Sequence, residues 1–421
     1  MEFPKLKGNS VPNNIVAGLD IGTSKFAVVI GETSETGQIT ILGTGLAQSQ
    51  GLRQGAIINL ESAVQAIRSA VNEAQLTAGI KISDVAVGIA GEHIHSVNSR
   101  GVVAVSRSDQ EVTAHDMDRV LDAARAIALP IDRKVLHVLP QEYIVDEEGG
   151  ISHPIGIKGV RLEAEVHIVT MGMKAEQNLI QCVNKADLNL TALVLEPLAS
   201  SLAVLHPEEM KLGVAIVDIG AGNTEVAVFK EGTIRQTAII NMGGQNVSND
   251  IALGLGTPPP QAEIIKQQYG CAHETCIKKG DVISVPGIPG RPPLEVSAEA
   301  MVSIVRPRMT EILRAASEQI RQSKCMENLG SGIVLTGGGA MLRGVDRLAT
   351  DIFGIPVKTA GPWGLTGLTE SATSPAMATA AGLLHYQAEH PTFEKEDDTS
   401  PDKGDPFGIF EKIKKFYQDN F

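Results

Sequence analysis

Two aspartates stand at the ends of apolar runs and head the same small motif. Asp20 lies in "IVAGLDIGTSKFAVVI" (15–30) and Asp218 in "GVAIVDIGAGNTEVAVF" (213–229). A carboxylate at the end of a buried strand is costly to desolvate unless something pairs with it. A hydrated Mg²⁺ can do so, because it keeps several waters and takes few protein carboxylates. After the first aspartate, Gly22, Thr23, Ser24 and Lys25 form a turn whose N–H groups and hydroxyls can cradle phosphate oxygens. After the second, Gly220, Ala221, Gly222 and Asn223 offer the same parts. A single Asp-Ile-Gly turn can equally be an aspartate capping a turn. Two copies at matching places point to phosphate chemistry.

A third glycine cluster follows in "SGIVLTGGGAML" (331–342). A strand over 333–336 runs into Gly337, Gly338, Gly339 and Ala340, and a helix is expected next. Three glycines let the backbone approach a flat ligand and leave a helix N-terminus free. Glu196, in "LEPLASSLAVL" (195–205), opens a helix with Pro197 behind it. A first-turn acid suits the helix dipole. Its place between the two aspartate hairpins also suits the ordering of water or Mg²⁺. Glu263 and Lys266 stand three apart in "GTPPPQAEIIKQQYG" (256–270), which places them on one helical face as an ion pair.

These residues need elements to carry them. The two hairpins lie about half a chain apart, so a duplicated α/β architecture with a cleft between halves is expected. Between them, residues 85–166 have their own rhythm: strands near 85–90 and 100–105, then a helix near 113–128, enough for a small inserted α+β module. Helical patterns recur at 61–77, 297–325 and 341–352. The Gly- and Pro-rich stretch at 281–297 reads as a hairpin or exposed loop.

The bulk numbers narrow the function. At 421 residues the chain suggests two or more domains. It is 43% hydrophobic and 20% charged, ordinary for a globular protein. A formal charge of −13 argues against nucleic acid, since phosphate would be repelled. Cys271 and Cys276 bracket "CAHETC" with no second pair, so free thiols in a reducing cytosol are expected rather than a metal site. No signal-peptide core opens the chain and no run reaches the ~20 apolar residues of a membrane span, so a cytoplasmic protein is expected.

The C-terminal residues are the anomaly. Aromatics make up 3% of the chain, yet Phe407, Phe410, Phe416, Tyr417 and Phe421 crowd into its last fifteen residues. Wound as a helix, Ile409, Phe410, Ile413, Phe416, Tyr417 and Phe421 share one arc edged by Lys412 and Lys414. Residues 387–406 carry seven acids against two lysines and read as a disordered linker. An apolar stripe on such a string is expected to lie on a lipid surface.

Together these pieces resemble the actin, Hsp70 and sugar-kinase ATPase superfamily. "DIGTSK" is similar to its first phosphate loop, "LEPLAS" to its connecting segment, "DIGAGN" to its second phosphate loop and "TGGGAML" to its adenosine loop. Within it the chain resembles, over nearly its whole length, the FtsA family of bacterial cell-division proteins. The specific marks are the inserted module with "YIVDEEGGISHPIGIKGVRLEAEVHIV", the later "GTPPPQAEIIK", and an amphipathic C-terminal helix on a linker. The resemblance implies an actin-like fold, Mg²⁺ and ATP as cofactors, and polymerisation on the cytoplasmic face of the membrane at the division site. It implies tethering of FtsZ through the FtsZ C-terminal tail, and recruitment of later division proteins.

Carried onto this sequence, it places Asp20 and Asp218 on either side of the Mg-phosphate group, with Glu196 as the acid of the connecting segment. Gly22, Thr23, Ser24 and Lys25, with Gly220, Ala221, Gly222 and Asn223, would hold phosphates. Glu263 and Lys266 would reach ribose and adenine; Gly337, Gly338, Gly339 and Ala340 would back the adenine. Ala221, Asn223 and Glu225 depart from the usual second loop, which implies binding with weak hydrolysis at most. Arg306 and Arg308 match the region that receives the FtsZ tail. The implied division is a first ATPase half at 14–84 and 167–196, the insert at 85–166, and a second half at 197–374 with an outer subdomain at 241–304. A return helix at 375–386, the linker at 387–406 and a membrane-targeting helix at 407–421 complete it. Two alternatives stand beside this: a pilus-assembly platform of the PilM type and a soluble kinase of the same fold.

Overall fold

The computed structural model describes residues 14–34, 36–285 and 292–390. The expected membrane helix and most of the acidic linker lie outside the described residues. Strands are numbered β1 to β19 and helices α1 to α11 in chain order.

Two sheets are built on one plan. The first has the order β11 (Asn189–Leu195), β6 (Asp84–Ile89), β1 (Ile15–Ile21), β2 (Lys25–Thr33), β3 (Ile39–Gln48), with β19 (Leu365–Gly367) added at its edge. The second runs β18 (Val357–Thr359), β17 (Ile333–Thr336), β12 (Val214–Ile219), β13 (Thr224–Lys230), β14 (Thr233–Ile240). In each, an antiparallel three-strand meander continues into two parallel strands. The duplication expected from the two hairpins is therefore present strand for strand.

The central strands are apolar on both faces because helices cover both faces. In the first half α1 (Leu60–Ala78) and α3 (Met173–Lys185) share a buried core with β1 and β2. The small face of α1, with Ala63, Ala70 and Ala74, lies on β3. Gly45 of β3 lets it approach: a Cβ there would stand 2.0 Å from the Ala70 carbonyl oxygen. Between the halves α4 (Glu196–Val204) crosses α11 (Ala378–Glu389), and their apolar side chains join a core that reaches both sheets. Beyond the short α5 (Pro207–Leu212), α6 (Gly244–Leu255), α7 (Pro259–Tyr269), α8 (Ala298–Gln322) and α9 (Val345–Phe353) build the second half's core. α10 (Thr369–Ala372) and a two-stranded ribbon of β4 (Leu52–Arg53) and β5 (Ala56–Ile57) are peripheral. The two ends of the Gly- and Pro-rich stretch pair antiparallel as β15 (Val282–Val285) and β16 (Leu294–Ser297).

The insert starts later than the expected 85, because 85–90 is β6, paired in parallel with β1 and β11 of the first sheet. It is an antiparallel sheet, β7 (Ile94–Ala104), β10 (Arg161–Gly172), β8 (Arg133–Val145), β9 (Glu148–Ile151), with α2 (Ala114–Arg125) on one face. α2 begins where expected because Thr113 and Asp116 form a capping box. β7 starts six residues before the expected strand. Its polar residues His95, Ser96 and Asn98 hide the apolar signal, yet they pair in register with β10.

Candidate functional site

The two aspartate hairpins are built alike. Gly22 N–H donates to the Lys25 carbonyl at 3.1 Å, and Gly220 N–H to the Asn223 carbonyl at 3.0 Å. A Cβ on either glycine would stand 2.9 Å from that acceptor, so both turns need glycine for closeness. The loops meet across the cleft: a Cβ on Gly222 would lie 2.6 Å from Thr23 Oγ1. The first turn of α6 holds the second loop, with the N–H groups of Gly244 and Gln245 each 2.9 Å from the carbonyls of Gly220 and Ala221.

The hairpins open onto a cavity of about 1120 Å³ lined by Asp20, Asp218, Glu196 and Glu225. Burial pushes the Asp20 carboxyl up to about 6 against the pull of the Lys25 ammonium. Burial and then the Asp20 charge push Asp218 up to about 7, opposed by hydrogen bonds from Ser200 and Thr379 and by Lys25. Glu196 and Glu225 are hydrogen-bonded to each other, and burial first, then neighbouring carboxylates, hold both well above the usual range. Lys25 Nζ donates to the Ala376 carbonyl at 2.5 Å and lies 3.3 Å from Met377 Sδ. Burial lowers its pKa, while Asp20 and Asp218 oppose that shift.

Glu225 appears in the sequence reading only as a departure from pattern. The structure puts it on the floor, because the four-residue turn sets Asp218 opposite Glu225 across β12 and β13. Turn length and strand period together carried that signal. Ser200 and Thr379 were not legible, since they reach Asp218 from α4 and α11, distant in sequence from one another.

The triple glycine divides its labour. A Cβ on Gly337 would stand 2.2 Å from Asp218 Oδ1, and its φ is +82°. One on Gly339 would stand 2.3 Å from Ile219 Cγ2. Gly338 is open to the cavity, since a Cβ there would meet nothing nearer than the Ala376 Cβ at 4.0 Å. Ala340 is buried behind them. The expected helix N-terminus is not there. The glycines enter a 3₁₀ turn (Gly338–Met341), Leu342 is extended, and α9 begins only at Val345 after the left-handed Gly344. A bridge between Arg343 and Cys271 holds this segment straight and delays the helix.

Across the cavity, Glu263 and Lys266 lie on α7 and pair at 2.8 Å. Lys266 Nζ also donates to the Gly244 carbonyl at 2.9 Å, and Ser248 Oγ donates to Glu263. Burial raises the Glu263 pKa, but Lys266 and these hydrogen bonds outweigh it and leave the carboxyl low. Arg306 and Arg308 are elsewhere, on α8. Arg306 pairs with Glu274, and Arg308 with Asp250 at 2.7 Å and with Glu311.

These residues suit a nucleotide with its metal. Two tight glycine turns face each other, Gly338 leaves open backbone on one wall, and the buried Asn223 Oδ1 has no hydrogen-bond partner. Among the described residues no group of three or more His, Cys, Asp or Glu is placed to hold a metal ion directly. Asp20 and Asp218, lining the cleft, suit a cation that keeps most of its waters.

Paired sheets of one plan, with a glycine-turn aspartate from each half facing a shared cleft, define a protein of the actin-like ATPase fold. Solved structures share it. The "PilM-PilN type IV pilus biogenesis complex" aligns with TM-score 0.64 at 18% identity, over 89% of this chain and 98% of that one. MreB5 of Spiroplasma citri bound to ADP aligns with TM-score 0.51 at 15% identity, over 89% and 97%. Both likenesses concern fold alone. Family models match "Cell division protein FtsA" at residues 215–382 and "SHS2 domain inserted in FTSA" at residues 91–170. The chain is 42% identical to the cell division protein FtsA of Pseudomonas aeruginosa, over 97% of this chain and 98% of that one. It is 38% identical to that of Escherichia coli K12, over 89% and 90%, and 34% identical to that of Bacillus subtilis, over 89% and 83%. The chain belongs to the FtsA family and is an actin-like cell-division protein.

Proposed function

We propose that this chain binds ATP with Mg²⁺ in the cleft, turns it over slowly at most, and uses the nucleotide mainly as a polymerisation switch. The observation that carries this reading is the pair of matched hairpins facing one cavity, with Gly338 open on its wall. The two loops would hold the phosphates through their N–H groups. Asp20 and Asp218 would hold Mg²⁺ through its waters, and the ion supplies charge neutralisation at the phosphates. Glu196 would orient water, but its hydrogen bond to Glu225 competes for the same carboxyl. Glu263 and Lys266 would face the ribose and adenine.

In this reading filaments form head to tail through the insert between β6 and α3, on the cytoplasmic face of the membrane at the division site. The apolar arc within 407–421 holds them to lipid. The surface around Arg306 and Arg308 receives the FtsZ tail, exchanging ion partners it already has. Later division proteins are the further partners, and nucleic acid is excluded by charge. Among the described residues no helix is long and apolar enough to cross a membrane.

Calorimetry with Gly338→Trp tests the site. A Cβ there meets nothing nearer than 4.0 Å, and the indole would fill the wall where the adenine would lie. ATP affinity should fall by at least about tenfold, or ~1.4 kcal/mol; unchanged affinity in a folded variant would refute the assignment.

A further inference from the structure

Strand β14 is the edge of the second sheet, and its outer carbonyls are capped by side chains of the insert. Gln141 Nε2 donates to the carbonyls of Ile234 at 2.9 Å and Arg235 at 3.1 Å. Ser96 Oγ donates to the Thr237 carbonyl at 2.9 Å, and Asn98 Nδ2 reaches the Arg235 carbonyl at 3.4 Å. His167 Nδ1–H donates to Asn98 Oδ1 at 2.6 Å, which leaves Nε2 to accept from the Thr237 hydroxyl at 2.9 Å. Gln141, His167 and Thr237 are buried. β14 pairs with β13 alone, so no strand ladder crosses this seam.

The seam spans the cleft by an indirect route. The insert leaves and rejoins the first half, between β6 and α3. β14 belongs to the second half, where Ile240 pairs with Thr224 directly after the loop of Gly220, Ala221, Gly222 and Asn223. A shift of that loop relative to the first half must move β14 against the insert or carry the insert with it. Near the root, Leu139 and Val169 of the insert share an apolar core with Ile234 and Phe229. Farther out, beside an ion pair of Arg235 with Glu142 at 3.5 Å, the contact is made of neutral side-chain hydrogen bonds, each of small net worth because water can replace it. Packed interfaces of this kind move between discrete arrangements rather than deform continuously.

We propose that this polar seam couples the nucleotide cleft to the insert, so that the state of the second phosphate loop sets the orientation of the module. The proposal rests on the reading of the cleft as a nucleotide site. It assigns Ser96, Asn98, Gln141 and His167 a transmission role that no direct contact with nucleotide would give them. Coupling is reciprocal, so weakening the seam must also change nucleotide affinity.

The test is amide hydrogen exchange on the full chain, without nucleotide and with Mg-ADP or Mg-ATP, alongside calorimetry. In the wild type, nucleotide should change exchange in residues 233–241 and in 94–100 and 139–143 together, by about threefold or more. In Gln141→Ala with Ser96→Ala, the response of 233–241 should persist and that of the insert should fall at least about threefold, with ATP affinity shifted about fivefold. The milder Asn98→Ala guards against a folding defect and should give a partial loss of the insert's response. Nucleotide bound by calorimetry with no exchange response in the wild-type insert would overturn the coupling alone. An insert that still responds fully in the double variant would overturn it as well. Absence of nucleotide binding in the wild type would overturn the nucleotide reading and the coupling with it.

Discussion

At pH 6 an exposed aspartate is ionised, whereas Asp20 and Asp218 still hold much of their protons because burial raises them to about 6 and about 7. A carboxyl raised in the folded state stabilises the fold below its unfolded pKa, and that contribution is lost as pH rises through 6 to 7. Asp218→Asn cannot ionise. Without Mg²⁺ its melting temperature should exceed the wild type's by about 2–5 °C more at pH 8 than at pH 5. Parallel melting curves across that range would count against the buried floor. Mg²⁺ binding must displace the same protons, so Mg-nucleotide should stabilise the wild type more at pH 8 than at pH 5.5. The triple glycine gives a second test at this scale. Gly337→Ala meets Asp218 Oδ1 and an unfavourable φ, and should cost about 1–3 kcal/mol in urea unfolding. Gly338→Ala has open space and should stay within about 0.5 kcal/mol of wild type.

Among the elements, the crossing of α4 and α11 ties the halves most closely. A glycine inside a helix ordinarily lowers stability, and alanine there gains up to about 1 kcal/mol. Gly382 reverses that sign. A Cβ would stand 1.7 Å from the Ala199 carbonyl oxygen, which is backbone and cannot turn aside. Gly382→Ala should therefore force the helices apart and cost about 1–3 kcal/mol, measured by chemical unfolding. A stabilised variant would mean that the crossing is loose.

For the whole molecule, the consequences lie in assembly and the membrane. Deleting residues 91–170, which spares β6, should abolish ATP-dependent filaments in electron micrographs; normal filaments from a folded variant would remove the insert from the polymer contact. If 407–421 winds as the sequence predicts, its apolar arc has about six side chains, each worth ~1.5–3 kcal/mol on full burial. Interfacial depth is shallow and ordering costs entropy, so under the proposed reading one copy should bind weakly and a filament of many copies should gain by multivalency. In liposome flotation, Phe410→Glu with Phe416→Glu should collapse binding, and salt should weaken the wild type only modestly. Strong salt dependence with little loss in the double variant would assign the attachment to charge instead.

How much of this was legible before folding depends on the range of each interaction. The duplication, both hairpins, the inserted module and the glycine wall are short-range patterns: strand period, turn length and residue type are all local in the chain. The resemblance of these patterns to the FtsA family likewise rests on local motifs. Other features needed the tertiary structure. Thr379 and Ser200 meet Asp218 only because α4 and α11 cross between the sheets. The glycines lead into a 3₁₀ turn because a bridge to Cys271 holds Arg343 extended, and Cys271 lies far back in the chain. The seam on β14 exists because an insert from the first half folds onto an edge strand of the second, where Gln141 and Ser96 find carbonyls that nothing in their own neighbourhood announces. Local sequence sets which groups are available and how each turn closes. Which distant groups share a buried space is decided by packing, since desolvation and unpaired carbonyls act only once the halves have come together.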